Sequence, residues 1–254
     1  MEDKTLLRMQ HSSLQFSDTP RQQEQDIRDL FEKGNRFPIK TGTEAGPDAP
    51  SHNMNRTFLI KYARKYRHAL HFARDNWIAV DRTIIKRGSL VRGSLFIADN
   101  DETVGPGHDM VLCTVEFNSF DPRVGHLAIG AIHGATKGDD PGEPNLHINR
   151  RMSRMCSRWM AKAGAGKDLA FLNGDFNIND IRHDMDLGVG NFTSMGDELR
   201  RHPNTGHGPI DALCSYDGDR RVSAHSLNVL DDREFFQHSD HFVVRGAWAI
   251  RHLR

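Results

Sequence analysis

Short runs of β-branched and apolar residues, each closed by turn residues or a charged side chain, recur through most of this chain and limit it to folds rich in β-sheet. WIAVDRTII, SLFIAD, DMVLCTVEFN, GHLAIGAIHG, DLAFLNGDF, IDALCSYD and HFVVRGAWAI have strand length and strand composition, with turn signals such as GPGHD and DPRVG between some of them. Near the N-terminus, SSLQFSD and RFPIKTGTEAG, the latter ending at Glu44, add two more. Helical patterns interrupt the series. In TPRQQEQDIRDLFEKG, Thr19 has N-cap chemistry, Pro20 suits the first helical position, Gln22 completes a capping box and Gly34 marks the stop. A second helix is expected over residues 56–66, after a loop GPDAPSHNMN, and a third over Leu146–Ala163, where Ile148, Met152, Met155 and Trp159 recur at helical spacing. Strand–helix–strand order predicts helices packed outside sheets, and no repeat or linker divides the chain, so one α/β domain over residues 1–254 is expected.

Composition removes several function classes. With 254 residues and 37% hydrophobic content the chain can bury a core. Its 34 basic and 34 acidic residues balance, so attraction to a polyanion must come from local clustering. The stretch MEDKTLLRMQHSS lacks a signal-peptide core, and no apolar run approaches the roughly 18 residues of a membrane span, which predicts a soluble, cytoplasmic monomer. Three widely spaced cysteines, Cys113, Cys156 and Cys214, indicate neither a disulfide framework nor a zinc site and read as packed thiols.

Chemistry concentrates where apolar strands end. Glu44 follows PIKTGT, His133 follows LAIGAI, Asp175 follows LAFLNG, and Asp240–His241 immediately precede FVVRGAW. Carboxylates at strand ends can converge on one crevice and hold a hard divalent cation, which prefers oxygen ligands. Histidine beside them suits proton transfer near neutral pH. The set describes metal-assisted phosphate-ester chemistry.

GDFN at 174–177, SDH at 239–241, GAIHG around His133, PIDAL around Asp211 and TGTEAG around Glu44 occur in an order that resembles the endonuclease/exonuclease/phosphatase superfamily, over nearly the whole chain. That resemblance implies a four-layered α/β sandwich, two mainly antiparallel β-sheets face to face with helices outside, and a site dependent on Mg²⁺ or Mn²⁺ at one sheet end. By matching position it implies Glu44 and Asp240 as metal ligands, Asp175 as the aspartate that positions or deprotonates the attacking water, and Asn177 as the amide holding water and phosphate. It implies His241 as the histidine on the scissile phosphate, Asp211 as the aspartate orienting it, and His133 as a general acid or phosphate contact.

Two positions depart from the pattern. Where the family's first strand usually ends in asparagine, this chain reads LQFSDTP, and Asp18, beside Ser17, is the nearest candidate for a metal or its water. Some nucleases of the family pair the His133 equivalent with an acidic residue on a neighbouring strand; Asp75, in DNWIAVDR, could serve, with Arg82 as a substrate contact.

The third helix adds Arg151, Arg154, Arg158 and Lys162 on one face, which could track a phosphodiester backbone but in this architecture reads first as a solvated outer face. The expected activity is a phosphodiesterase, a nuclease acting on DNA, with nucleic acid as the partner. The alternatives are hydrolysis of a small-molecule phosphate, phosphoinositide or phospholipid, which the same site would serve with different loops, and a non-catalytic binding module on the same fold.

Overall fold

The computed structural model describes residues 4–14, 19–46, 50–97, 108–118, 125–134, 146–165, 168–176, 192–195, 211–216, 222–230 and 243–251. In chain order the elements are β1 (Lys4–Ser13), α1 (Pro20–Glu32), β2 (Ile39–Thr43), α2 (Pro50–Lys65), β3 (His68–Ala73), β4 (Asn76–Asp81), β5 (Val91–Ile97), β6 (His108–Val115), β7 (Leu127–His133), α3 (Leu146–Ala163), β8 (Leu169–Asp175), β9 (Phe192–Met195), β10 (Asp211–Tyr216), β11 (Val222–Leu230) and β12 (Val243–Arg251). They form two six-stranded sheets, ordered β11-β12-β1-β2-β4-β3 and β5-β6-β7-β8-β10-β9. Pairing is antiparallel except between β1 and β2 and between β7 and β8.

Strand alternation builds the four layers. On β4, Ile78 and Val80 face the opposite sheet, where they meet Val111, Ile129 and Phe171, while Trp77 and Ala79 turn outward against Ile27, Phe31 and Leu59 of α1 and α2. On β8, Leu169 and Phe171 face inward, and Ala170 and Leu172 face outward onto Cys156 and Met160 of α3. Helices therefore cover both outer faces, as expected. The three cysteines are free thiols inside these layers; burial raises the Cys113 pKa to about 12. Among the described residues no helix is long and apolar enough to cross a membrane.

Several elements depart from the sequence reading. β1 starts upstream of SSLQFSD, over KTLLRMQHSS, because alternating Leu7 and Met9 fill the inter-sheet core while Gln10 to Ser13 are buried polar residues, with side-chain hydrogen bonds from Gln10, His11 and Ser13. α2 begins at Pro50 and not at Arg56: a proline in the first turn starts the helix, and the polar run after it, which read as loop, carries an inward asparagine. β3, β9 and β11 were not apparent; two of them, β3 and β11, are edge strands of the first sheet and β9 is an edge of the second, where a continuous apolar run is not required. α1 starts as expected, with the Gln22 side chain accepting the Thr19 backbone N–H at 2.9 Å. On α3 the apolar side packs on the second sheet, and Arg154, Arg158 and Lys162 are exposed.

Candidate active site

At one end of the sandwich the inward-facing positions change from apolar to polar. β8 reads Leu169, Phe171, Asn173, Asp175 along its inner face, and the neighbouring strands place His133 of β7 and Asp211 of β10 in register with Asp175 on either side. Register partners project to the same face, so the three side chains form one row. From the other sheet, Ser13 and Thr43 sit opposite each other at the ends of β1 and β2, and Glu44 follows immediately.

His133 is the hub. Its Nδ1 lies 2.8 Å from Asp75 Oδ2, in the turn between β3 and β4, and its Nε2 lies 3.9 Å from Asp175 Oδ2. Burial alone would lower the imidazole pKa, but the Asp75 hydrogen bond and the charges of Asp75, Asp175 and Glu44 raise it to about 9. The ring is therefore an imidazolium at neutral pH. Burial would likewise raise Asp75, yet the His133 hydrogen bond and charge, with His52 contributing, hold it below the usual carboxylate value. Asp75 thus fixes the ring and keeps it charged, with Nε2 directed at the Asp175 carboxylate.

Glu44 is held by backbone and side chain alike. Its φ of 62° is left-handed, uncommon for a residue with a Cβ, and three contacts maintain it. Asn55 of α2, fully buried, donates to the Glu44 carbonyl at 2.9 Å and to the Leu14 carbonyl at 3.0 Å. Ala45 N–H donates to the Asp75 carbonyl at 2.9 Å, bringing the Asp75 turn beside Glu44. Gly46 permits that approach, since a Cβ there would stand 3.0 Å from Asp75 Cα. Ser13 Oγ donates to Glu44 Oε2 at 3.1 Å and accepts from Thr43 Oγ1 at 2.9 Å.

Beneath the row lies a polar layer that the sequence did not reveal. His11 Nδ1 is 3.1 Å from Thr41 Oγ1, and its Nε2 is 3.5 Å from Asp211 Oδ1. Asn173 Nδ2 donates to the same Thr41 oxygen at 3.1 Å, joining the sheets across the layer. The only available signal was alternation along β1 and β8 continued past the apolar residues; Asn55 had none, because it falls in the segment read as loop.

Of the predicted site residues, Glu44, Asp75, His133, Asp175 and Asp211 converge here. Arg82 does not: it follows the other end of β4, about 20 Å of strand away from Asp75. Asp18, Asn177, Asp240 and His241 lie outside the described residues. Among the described residues, Ser13 is the polar side chain at the end of β1 that reaches Glu44, so the first strand's terminal position falls upstream of Asp18. Glu44 and Asp175 offer hard oxygen donors of the kind Mg²⁺ takes, although no group of three His, Cys, Asp or Glu residues able to hold a metal forms among the described residues.

Known folds match this arrangement over almost its full length. An endonuclease/exonuclease/phosphatase family protein from Bacteroides thetaiotaomicron superposes with a TM-score of 0.70, covering 100% of both chains at 12% identity. The fold is that of the endonuclease/exonuclease/phosphatase superfamily. TDP2 of D. rerio, complexed with single strand DNA product, gives 0.68 over 96% of this chain and 99% of its own at 11% identity. The human Nocturnin catalytic domain with bound sulfate anion gives 0.68 over 98% and 97% at 12%. No family model and no curated protein matches the sequence.

Proposed function

We propose that this protein is a divalent-metal-dependent phosphodiesterase that cleaves nucleic acid, DNA in the first instance. The observation that carries the reading is the Asp75–His133–Asp175 row with Glu44 beside it: a charged imidazole and a carboxylate facing one small space at the strand ends. The TDP2 superposition, a structure with single strand DNA product, supports the substrate class.

In this reading Asp175, assisted by Asn177, aligns a water for in-line attack on phosphorus and accepts its proton. As the new phosphorus–oxygen bond forms, the bond to the leaving oxygen breaks, and the His133 imidazolium donates the proton that oxygen needs. His241, oriented by Asp211, offsets charge on the phosphoryl oxygens. Glu44 and Asp240 are the residues to hold Mg²⁺ or Mn²⁺, which when bound would draw charge from the phosphate. Asp75 orients His133 and favours its charged form until that proton is given up.

The test is incubation with supercoiled plasmid and Mg²⁺ or Mn²⁺, beside Asp175→Asn and chelator controls. Nicking that disappears in both controls is the expected result. Intact plasmid with turnover of p-nitrophenyl phosphate or an inositol phosphate would assign the same chemistry to a small substrate, and no turnover of any ester would overturn the enzyme reading.

A further inference from the structure

The strongest unassigned feature is the outer edge of the first sheet, where α2 lies along strand β3. α2 contains no acidic residue, and its cations divide into two sets. Lys61 and Lys65 are paired with Glu24 and Glu32 of α1. Arg56 and Arg64, with Arg67 just beyond the helix and Arg82 after β4, make no ion pair among the described residues. Arg56, Ile60 and Arg64 recur at four-residue spacing and so share one face, about 100° around the helix from the row of Lys61 and Lys65.

This face leads away from the catalytic end. α2 begins beside it, where His52 acts on Asp75 and Asn55 bonds Glu44. Arg56 lies next, 4.3 Å over the Phe72 ring. Farther along, Arg64, Arg67 and Arg82 rim a crevice of about 710 Å³ whose apolar lining includes Ile60, Leu70 and Phe72. The Arg82 N–H bonds the Arg67 carbonyl at 3.0 Å, tying two rim residues together. From His52 to Arg64 the helix rises about 18 Å, close to the length of strand separating Asp75 from Arg82. Arg67 has a φ of 59°, a backbone state in which glycine would be unstrained, yet the position carries a guanidinium.

We infer that the α2–β3 edge, from Arg56 to the Arg64–Arg67–Arg82 crevice, is a track for the distal part of a single nucleic acid strand whose scissile phosphate lies at Asp175 and His133. This rests on the nuclease reading above. Unpaired guanidiniums would take successive phosphates, and the interleaved Phe72, Leu70 and Ile60 offer apolar and aromatic surface to unpaired bases. The basic face of α3 has exposed Arg154, Arg158 and Lys162 but lies outside the second sheet, and it takes no part.

The experiment measures binding of single-stranded oligonucleotides of about 4 and about 12 nucleotides, lengths that bracket a short and a long site. Asp175→Asn protein is used so that the strand survives. Affinity should rise with length. Combining Arg64→Gln, Arg67→Gly and Arg82→Gln should abolish most of that rise, and should flatten the plot of log K against log salt by about 2, at about 0.7 for each lost phosphate contact on a single strand. Arg67→Gly relieves backbone strain, and a melting curve confirms that the variant is folded. Arg154→Gln, Arg158→Gln and Lys162→Gln together should leave the slope unchanged. A length dependence and slope retained by the α2–β3 variant would overturn the track and leave the nuclease reading standing, as would binding by the parent that does not grow with length. Absence of binding at every length and salt would overturn the track, while plasmid nicking decides the nuclease reading separately.

Discussion

The two ends of the inter-sheet layer are made from the same strands with the same alternation, yet they do different work. At one end Leu7 of β1, Leu127 of β7 and Leu169 of β8 interlock with Phe171, Trp248 and Ile250, all nearly or fully buried. Six residues later on each of those strands the same inner faces present Ser13, His133 and Asp175. The apolar end gains by removing surface from water. The polar end gathers Glu44, Asp75, Asp175 and Asp211 around two histidines and bears the cost of desolvating them. A continuous strand lets the first end hold the second in place, so a side chain that must be positioned to a fraction of an ångström is anchored by residues that take no part in chemistry.

Substitution should separate the two ends. Asp175→Asn preserves shape and removes the charge that accepts the proton, so hydrolysis should fall about 10²–10⁴-fold while the melting temperature stays level or rises, since one buried carboxylate has been neutralised. Phe171→Ala should do the reverse: a loss of about 3–5 kcal/mol in urea unfolding, with the activity of the folded fraction retained. If Phe171→Ala abolished activity in fully folded protein, or Asp175→Asn unfolded it, the division between the ends would be wrong.

The Asp75–His133 pair sharpens the comparison through pH. His133 has its pKa raised from 6.5 to about 9, so the stability it contributes is full below about 6.5 and is lost as pH rises through about 9. Asp75 has its pKa lowered from 3.8, so its share is present above about 3.8 and is lost as pH falls through the lower folded value. Unfolding of the parent and of Asp75→Asn, compared over a pH series, should differ most between these limits and converge above about 9. The same substitution should lower the His133 titration from about 9, followed by its ring proton resonances, because burial is then opposed only by the charges of Asp175 and Glu44. An unmoved titration would show that Asp75 does not control the ring.

How much of this the sequence disclosed follows from the same contrast. The apolar halves of β4, β7, β8, β10 and β12 were readable because strand composition and turn residues are local signals. Glu44, His133, Asp175 and Asp211 were readable because each interrupts such a run, and the motif order resembled a family with this fold. What escaped depends on partners distant in sequence. Asn55 acts across 11 residues on Glu44 and 41 on Leu14, and Asn173 across 132 on Thr41. β1 was displaced because its end is polar: Gln10, His11, Ser12 and Ser13 look like surface, although all four are buried. Arg82 was assigned to substrate by sequence, and it lies on the far rim of the α2–β3 edge.

Ser13 is where that misreading leaves its smallest test. Thr43 Oγ1 donates to Ser13 Oγ, which in turn donates to Glu44 Oε2, so one carboxylate oxygen is held in place. Ser13→Ala removes one hydrogen bond to a charged group and leaves Thr43 without its acceptor there. The expected loss is about 1–2 kcal/mol in unfolding, with fold and strand register unchanged. Because Glu44 then loses a bond that orients its carboxylate, the Mg²⁺ concentration giving half-maximal hydrolysis should rise several-fold while the saturated rate changes little. Ser13→Thr retains the hydroxyl and should restore the metal response if the extra methyl is accommodated, which melting will report. A metal response in Ser13→Ala identical to the parent's would mean that Glu44 is set by its backbone alone, through the left-handed φ and the two Asn55 bonds, and that the end of β1 serves the packing half of the molecule and not the reacting one.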